Sequence, residues 1–313
     1  MTVHASRVTA APPVPDLADR LTIVLLTHNC ANWIDRTVHG LRALDVPVLV
    51  VDNASTDDTV TRVRGHGLRV VQLATNRGAA ARNVGAELAG TPYIAFCDDD
   101  GWFERAGLER AVRLLDRHAS LALLNARILV NDEERLDPIS REMECSPLDG
   151  DAELPGTVLM GFMAGAVVVR REAFLEVGGY DHRFFIGGEE ETVAIPLLRN
   201  GWRMRYDPQI VVHHYPSGAN APNIRHFGVR NTLTNAWLHR PFRSALSWTW
   251  FITRTTPSRM TLVRGLAMFV RDLPWIVRDR TVMAAELDDA LALLDERRRM
   301  ATPGRRRHRE SVW

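Results

Sequence analysis

Tyr93-Ile94-Ala95-Phe96-Cys97-Asp98-Asp99-Asp100-Gly101 is the stretch whose reading decides the fold. An apolar run, preceded by the breakers Gly90-Thr91-Pro92, passes straight into three consecutive carboxylates. Such a run reads as a strand buried on both faces of a parallel sheet. In open α/β sheets, ligands gather at the carboxyl ends of these strands. Three adjacent acids repel one another, and a divalent cation shared with substrate phosphates is one way to compensate them. The plainer alternative is a solvated loop in which Asp100 caps a helix beginning near Trp102, since Asp is a favoured N-cap residue.

The neighbouring segments repeat the pattern. Residues 21–26 form an apolar strand ending in Thr27-His28-Asn29, and Trp33, Ile34, Val38 and Leu41 then share one helical face. Residues 48–51 form a second strand ending in Asp52-Asn53, followed by small polar residues and a helix from about Thr59. Residues 68–73 form a third, after which Asn76-Arg77-Gly78 opens an alanine-rich helix over 79–89. Strands alternating with helices at this spacing predict right-handed βαβ crossovers and a parallel sheet. Thr27 and Asn29, Asp52 and Asn53, and the aspartates at 98–100 then converge on one sheet edge, which is the layout of a nucleotide site.

Further on, residues 121–130 read as a strand and 131–155 as a polar, acid-rich loop or lid, a length of connection that is usually functional or disordered. The apolar stretch 158–170 is broken by Gly161 and Gly165, a sign of a bulge or of close approach to a ligand. A turn at Gly178-Gly179-Tyr180-Asp181 leads to Gly187-Gly188-Glu189-Glu190-Glu191, whose acids open a helix reaching about Asn200, where the helix dipole favours them. Two short strands, 202–206 and 210–212, deliver His213-His214. Beyond 221 the chain turns helical over 227–238, 244–253, 261–271 and 283–299, with Trp248, Trp250, Phe251, Phe269 and Trp275 scattered through it. These helices read as an appendage packed on the main domain; the alternative is a surface resting on a membrane, with Arg and Trp at the interface.

Composition narrows the class. At 313 residues, 46% hydrophobic and 25% charged, the chain has an ordinary globular make-up. A net charge of +1 gives no electrostatic case for nucleic acid. All 39 Lys or Arg residues are arginine, which reads as codon usage. Cys30, Cys97 and Cys145 are dispersed and odd in number, which argues against a disulfide framework and fits a reducing compartment. Residues 1–20 carry no continuous apolar core, and no window reaches the roughly 18–20 apolar residues of a spanning helix. A cytoplasmic protein is expected, peripheral at the inner membrane face if the late helices rest there.

The ordered set Thr27-His28-Asn29, Val50-Val51-Asp52-Asn53-Ala54-Ser55-Thr56-Asp57, Asn76-Arg77-Gly78, Ala81-Arg82-Asn83 and Asp98-Asp99-Asp100 resembles the nucleotide-binding half of family 2 glycosyltransferases of the GT-A fold. The later runs Gly178-Gly179-Tyr180-Asp181, Phe184 to Glu190 and Val211-Val212-His213-His214 resemble their acceptor half, so the likeness covers about 20–216. It implies an α/β, Rossmann-like sheet with helices on both faces. The expected plan is a flexible leader (1–20), a glycosyltransferase domain (21–220, its nucleotide-binding half 21–130 and acceptor half 131–220), a helical appendage (221–300) and a basic tail (301–313). The tail, with Arg305-Arg306-Arg307-His308-Arg309, reads as a solvated terminus or as a contact for anionic lipid.

The resemblance also implies chemistry: metal-dependent, inverting transfer of a sugar from a UDP- or dTDP-sugar to a hydroxyl acceptor, in envelope polysaccharide, glycolipid or natural-product glycosylation. It places base and ribose near Thr27, Asn29, Asp52 and Asn53. Arg77, Gly78 and Arg82 fall near the diphosphate or the base, as guanidinium geometry suits phosphate, with Asp98 and Asp99 against the donor. Asp98 and Asp100 resemble the DxD motif that holds Mg²⁺ or Mn²⁺, joined by His213, or by His214 if the register differs by one. Inversion is a single displacement that needs a base for the acceptor hydroxyl. The family commonly has Glu-Asp where this chain has Glu189-Glu190, so Glu190 takes the aspartate position and Glu189 stays a candidate. Thr192 stands where another acid is common. Rival readings are an inactive carbohydrate- or nucleotide-binding relative and an aspartate phosphatase, which wants Asp-x-Asp on its first strand. A pyrophosphorylase would carry a glycine-rich basic loop after strand one.

Overall fold

The computed structural model describes residues 16–217 and 221–301. Pro12, Pro13 and Pro15 of the expected leader, and the arginines of the expected tail, lie outside the described residues. The last five leader residues are folded: Asp16 caps α1 (Leu17–Arg20) by accepting from the Ala18 amide, and Leu17 is buried.

The first half matches the alternation read from the sequence. β1 (Leu21–Thr27), α2 (Ile34–Arg42), β2 (Val48–Asp52), α3 (Thr59–Gly65), β3 (Arg69–Gln72), a short 3₁₀ turn (Gly78–Ala80), α4 (Ala81–Leu88) and β4 (Tyr93–Asp98) follow in order. Their strands are mutually parallel in the spatial order β3-β2-β1-β4. Thr27 pairs with Asp52 and Leu26 with Asp98, so the three polar strand ends do meet on one edge. α4 lies flush on β1 because Gly85 has no side chain; a Cβ there would come within 2.3 Å of Val24.

Beyond β4 the structure departs from an all-parallel sheet. The helix expected near Trp102 is preceded by a three-residue strand, β5 (Gly101–Phe103), and α5 (Arg105–Arg117) begins after Glu104. Asp100 therefore caps no helix; its carbonyl accepts from the Tyr215 amide. β6 (Leu121–Val130) is followed by β7 (Arg135–Leu136) and α6 (Pro138–Glu144), so part of the expected loop at 131–155 is folded, with Asp137 capping α6 through the Ile139 amide. β8 (Thr157–Val158) and β9 (Ala166–Arg170) come next, then α7 (Arg171–Glu176), α8 (Glu191–Arg199) and β10 (Arg203–His214). β9 runs antiparallel to both β4 and β6, giving a mixed sheet of order β3-β2-β1-β4-β9-β6-β10-β5. The two short strands expected at 202–212 are one bent strand, its pairing with β6 shifted between Asp207 and Val211.

Four C-terminal helices follow, α9 (Ala221–His239), α10 (Phe242–Thr255), α11 (Arg259–Asp279) and α12 (Ala285–Ala301), and the first three form a separate apolar cluster that includes Val229, Leu233, Trp248, Ile252 and Phe269. Phe184, from the loop ahead of α8, is buried in that same cluster. Arg183 ion-pairs with Asp279 at 2.6 Å, and buried Arg240 reaches both Asp288 and Asp295. Losing one partner of such a buried pair costs about 3–5 kcal/mol. The helices thus share their core with the segment that carries the glutamates. Among the described residues, no helix is long and apolar enough to cross a membrane.

Candidate active site

The floor of the strand-end edge is built from residues whose polar groups are already matched. Asp52 is fully buried; it accepts from the Thr27 hydroxyl at 3.1 Å and from the Ser55 amide and hydroxyl at 3.0 and 2.5 Å. Asn53, also buried, donates to the Gly78 carbonyl and accepts from the Arg77 amide, so it fixes the turn into α4. Gly78 has φ +59°, and a Cβ there would lie 1.8 Å from the Phe185 carbonyl oxygen. The adjacent Ala79 amide donates to that same oxygen, tying the two halves of the domain together. Above this floor, Asn29 and Arg77 are exposed. Asn29 adopts φ +51° and accepts from the Thr56 amide, a strained conformation of the kind that clusters at ligand loops.

The three aspartates separate by partner. Asp98 ion-pairs with Arg82, whose side chain is buried. Asp100 lies 3.3 Å from His214 Nε2. Asp99 turns back into the protein, accepting from the His28 amide and the Trp33 indole N–H, while its carbonyl accepts from the Thr37 hydroxyl. Burial, then the neighbouring Asp100 and Asp98 charges, push Asp99 up to about 7 against the Trp33 bond. The side chain expected against the donor thus braces the β1–α2 loop.

His213 also corrects an expectation. In β10 it faces Trp102 across the β5 pair, stacks on that ring and bonds Glu104 at 3.0 Å. Successive strand residues point to opposite faces, so it is His214 that reaches Asp100. Burial lowers the His214 pKa, but the bond to Asp100 and the charges of Asp100 and Asp98 outweigh it and raise the value.

The glutamates reach the same neighbourhood. Burial opposes the charge on Arg82, yet Asp98, Tyr180, Glu189 and Glu190 together hold it protonated. Glu189 and Glu190 are both raised above the ordinary carboxylate range, first by burial, with Asp98 adding to the effect and Arg82 opposing it. One guanidinium is therefore ion-paired with Asp98 and within electrostatic reach of both glutamates. Arg82 Nε, the Tyr180 hydroxyl, Glu189 Oε2 and Asn235 Oδ1 are buried with no hydrogen-bond partner. Buried polar atoms are nearly always paired in native proteins, so this set fits a site that a polar ligand completes. Gly165 backs directly onto the Asp98 carboxylate, where a Cβ would come within 2.1 Å of Oδ2.

The residues that shape the glutamate turn come from α9, which the sequence marks with no motif. The Asn231 amide donates to the Ile186 and Gly187 carbonyls, and that of Asn235 to the Gly188 carbonyl. Arg230 donates to the Arg183 carbonyl and the Asn231 side chain and ion-pairs with buried Asp272. Gly187 and Gly188 have φ +81° and +87°, a region that favours glycine.

Asp98, Asp100 and His214 offer the oxygen and nitrogen donors that Mg²⁺ or Mn²⁺ accepts. Among the described residues, no three such side chains are gathered closely enough to hold an ion alone. The set fits a cation whose shell is shared with a bound phosphate. A cavity of about 300 Å³ lined by Asn32, Trp33, Arg36, Asp100 and Tyr215 opens beside Asp100. A second, of about 660 Å³, lies behind the Gly178–Phe184 turn and is lined by none of the candidate acids.

Known proteins share this architecture. The chain superposes on the crystal structure of S. aureus TarS 1–349 with a TM-score of 0.55 at 17% identity, covering 90% of this chain and 92% of that one. The mannosyltransferase PcManGT from Pyrobaculum calidifontis, in complex with GDP-Man and Mn²⁺, gives 0.54 at 19%, covering 92% and 82%. These likenesses establish the GT-A fold. In sequence, the pre-mycofactocin glycosyltransferase of Mycobacterium tuberculosis is 32% identical over 212 residues, 65% of this chain and 44% of the relative. The poly(ribitol-phosphate) beta-N-acetylglucosaminyltransferase TarS of Staphylococcus aureus is 31% identical over 116 residues, 34% of this chain and 20% of that one. The chain thus spans less than half the length of these relatives. Residues 22–178, half of the chain, match the family described as glycosyl transferase family 2, and the chain belongs to that family.

Proposed function

We propose that this chain is an inverting glycosyltransferase that moves a sugar from a nucleoside diphosphate donor to a hydroxyl acceptor, in cell-envelope, glycolipid or natural-product glycosylation. The observation that carries the reading is the buried Arg82, ion-paired with Asp98 and within electrostatic reach of the Glu189–Glu190 pair. It supports one cleft with a donor side and an acceptor side. Structural neighbours solved with UDP, UDP-GlcNAc and GDP-Man support the donor class.

In this reading, Thr27, Asp52 and Asn53 set the loops on which base and ribose lie, with Asn29 and Arg77 exposed to meet them. Asp100, His214 and Asp98 would hold Mg²⁺ or Mn²⁺, which when bound offsets the negative charge of the departing diphosphate. Arg82 orients Asp98 and faces the same diphosphate. Glu190, with Glu189 beside it, accepts the acceptor's hydroxyl proton; a raised pKa suits a group that must take up a proton near neutral pH. Asn231 and Asn235 hold the turn that aims these carboxylates.

The test is incubation with a panel of nucleotide sugars and Mn²⁺, following the released products. Nucleoside diphosphate, released by the wild type and not by Asp100→Ala, is the expected result. Free phosphate, or undiminished turnover in Asp100→Ala without added metal, overturns it.

A further inference from the structure

Exposed large hydrophobic side chains are not spread evenly over this molecule. In the α/β domain only Leu88 and Ile139 are of this kind among the described residues, whereas α10 and α11 carry long rows of them. On α10 the row is Phe242, Leu246 and Trp250, one every four residues. On α11 it is Met260, Val263, Val270 and Val277, and these seven side chains are 52–68% exposed. Residues three, four and seven apart share a helix face, and Met260 to Val277 spans about 26 Å at 1.5 Å per residue. The opposite faces are already used: Ala245, Trp248 and Ile252 of α10, and Phe269 and Ile276 of α11, fill the core cluster shared with α9. Each helix is therefore apolar on two sides, with its outer row facing away from the protein.

Charge tells what the outer rows meet. Arg264, Arg271 and Arg278 recur every seven residues along one edge of the α11 row and are exposed, as are Arg243 and Arg254 on α10 and Arg259 at the start of α11. α10 contains no acidic residue. The two acids of α11 are shared between the body of the protein and that edge: Asp272 pairs with Arg230 and with Arg271 at 3.3 Å, and Asp279 pairs with Arg183 and with Arg278 at 2.7 Å, so Arg264, Arg243, Arg254 and Arg259 carry most of the positive excess. The Arg254 guanidinium lies 4.8 Å from the Trp250 ring centroid, a pairing of polar tip and apolar body suited to a water–lipid boundary.

We propose that α10 and α11 form a docking face for an anionic lipid surface, the apolar rows entering the headgroup boundary and the arginines meeting lipid phosphates. A helix lying in this plane buries its apolar face and draws its electrostatic share from basic residues. A second copy of this chain is the poorer occupant, because a two-fold interface would set a row of like charges against itself. This assignment stands independently of the catalytic reading.

The test is co-sedimentation of the full chain with phosphatidylcholine vesicles, with and without about one-third phosphatidylglycerol. The wild type is expected to pellet with the anionic vesicles only, and to be released at roughly 1 M salt, where screening length falls to about 3 Å. Arg264→Gln/Arg271→Gln is expected to weaken partitioning by roughly 25-fold, at about fivefold per arginine near the surface. Val263→Asp/Val270→Asp abolishes it. Both variants change exposed positions and keep the wild-type thermal midpoint. A wild type that stays in the supernatant at low salt, or binding unchanged in both variants, overturns the proposal. Concentration-dependent self-association that the valine variant removes, without vesicle binding, overturns it too and gives the face to a second copy.

Discussion

The side-chain amide of Asn235 donates to the Gly188 carbonyl at 2.7 Å, so a helix outside the sheet sets the backbone just ahead of the two candidate bases. With Asn231 holding the Ile186 and Gly187 carbonyls, three successive peptide oxygens are pinned from α9. The C-terminal helices thereby shape the turn that carries Glu189 and Glu190.

Asn235→Leu and Asn231→Leu should each lower kcat by roughly 10- to 100-fold, the scale of a misplacement of about 1 Å. Donor KM should stay within about twofold. Stability should fall by about 1–3 kcal/mol, since buried carbonyls lose their donor. Steady-state kinetics alongside thermal unfolding separates the two effects.

The two histidines that end β10 should behave differently. His214→Ala should lose stimulation by divalent cation together with transfer, because it stands beside Asp100. His213→Ala breaks only the Glu104 contact and the stack on Trp102, and should retain the metal response. Titrating Mn²⁺ against both variants decides the matter.

Gly165→Ala places a methyl within 2.1 Å of Asp98 Oδ2, and the carboxylate has to move. Donor KM should rise at least about tenfold, or 1.4 kcal/mol, for a change of one carbon. Donor binding measured by calorimetry would show it.

Glu189 and Glu190 are both raised by burial, and their charges oppose each other. A base must be ionised to act, so the rate should climb with pH, with its acid limb above the ordinary carboxylate range. Glu189→Gln removes a neighbouring negative charge and should shift that limb to lower pH with turnover retained. Glu190→Gln should abolish transfer. A pH–rate profile of kcat/KM tests both.

Glu191 is pushed up to about 7, chiefly by burial, against about 4.3 in an unfolded chain. The folded form thus binds a proton more tightly, so the wild type loses stability as pH rises from about 4 to about 7 and no more above that. Glu191→Gln should relieve the loss, gaining on the order of 1–3 kcal/mol over wild type at pH 8 and little at pH 4. Denaturant unfolding at the two pH values measures it.

The alternation of β1 to β4 was legible because apolar runs, capping residues and turn residues agree at every step. Strand direction was not: Ala166–Arg170 is as apolar as a parallel strand, and only its route through the sheet makes it antiparallel to Tyr93–Asp98. β5 was hidden because Gly101–Phe103 is too short to show a period, and its pairing partner lies over a hundred residues on. In the site, the sequence marked Asp98, Asp100 and both glutamates by type and place. It could not say that the Asp99 side chain turns inward, or that one strand position separates His213 from His214. Asn231 and Asn235 gave no signal, since an asparagine inside a helix looks the same whether it faces water or a carbonyl.

Arg82 carries a kinetic consequence of its own. A single buried cation answers both to the aspartate it pairs with and to the field of the glutamates. Any incoming diphosphate that draws it away strips the proton-accepting side of a stabilising neighbour and strengthens those carboxylates as bases. Such an enzyme should add its substrates in compulsory order, nucleotide sugar before alcohol, and waste little donor on water while the second place is empty.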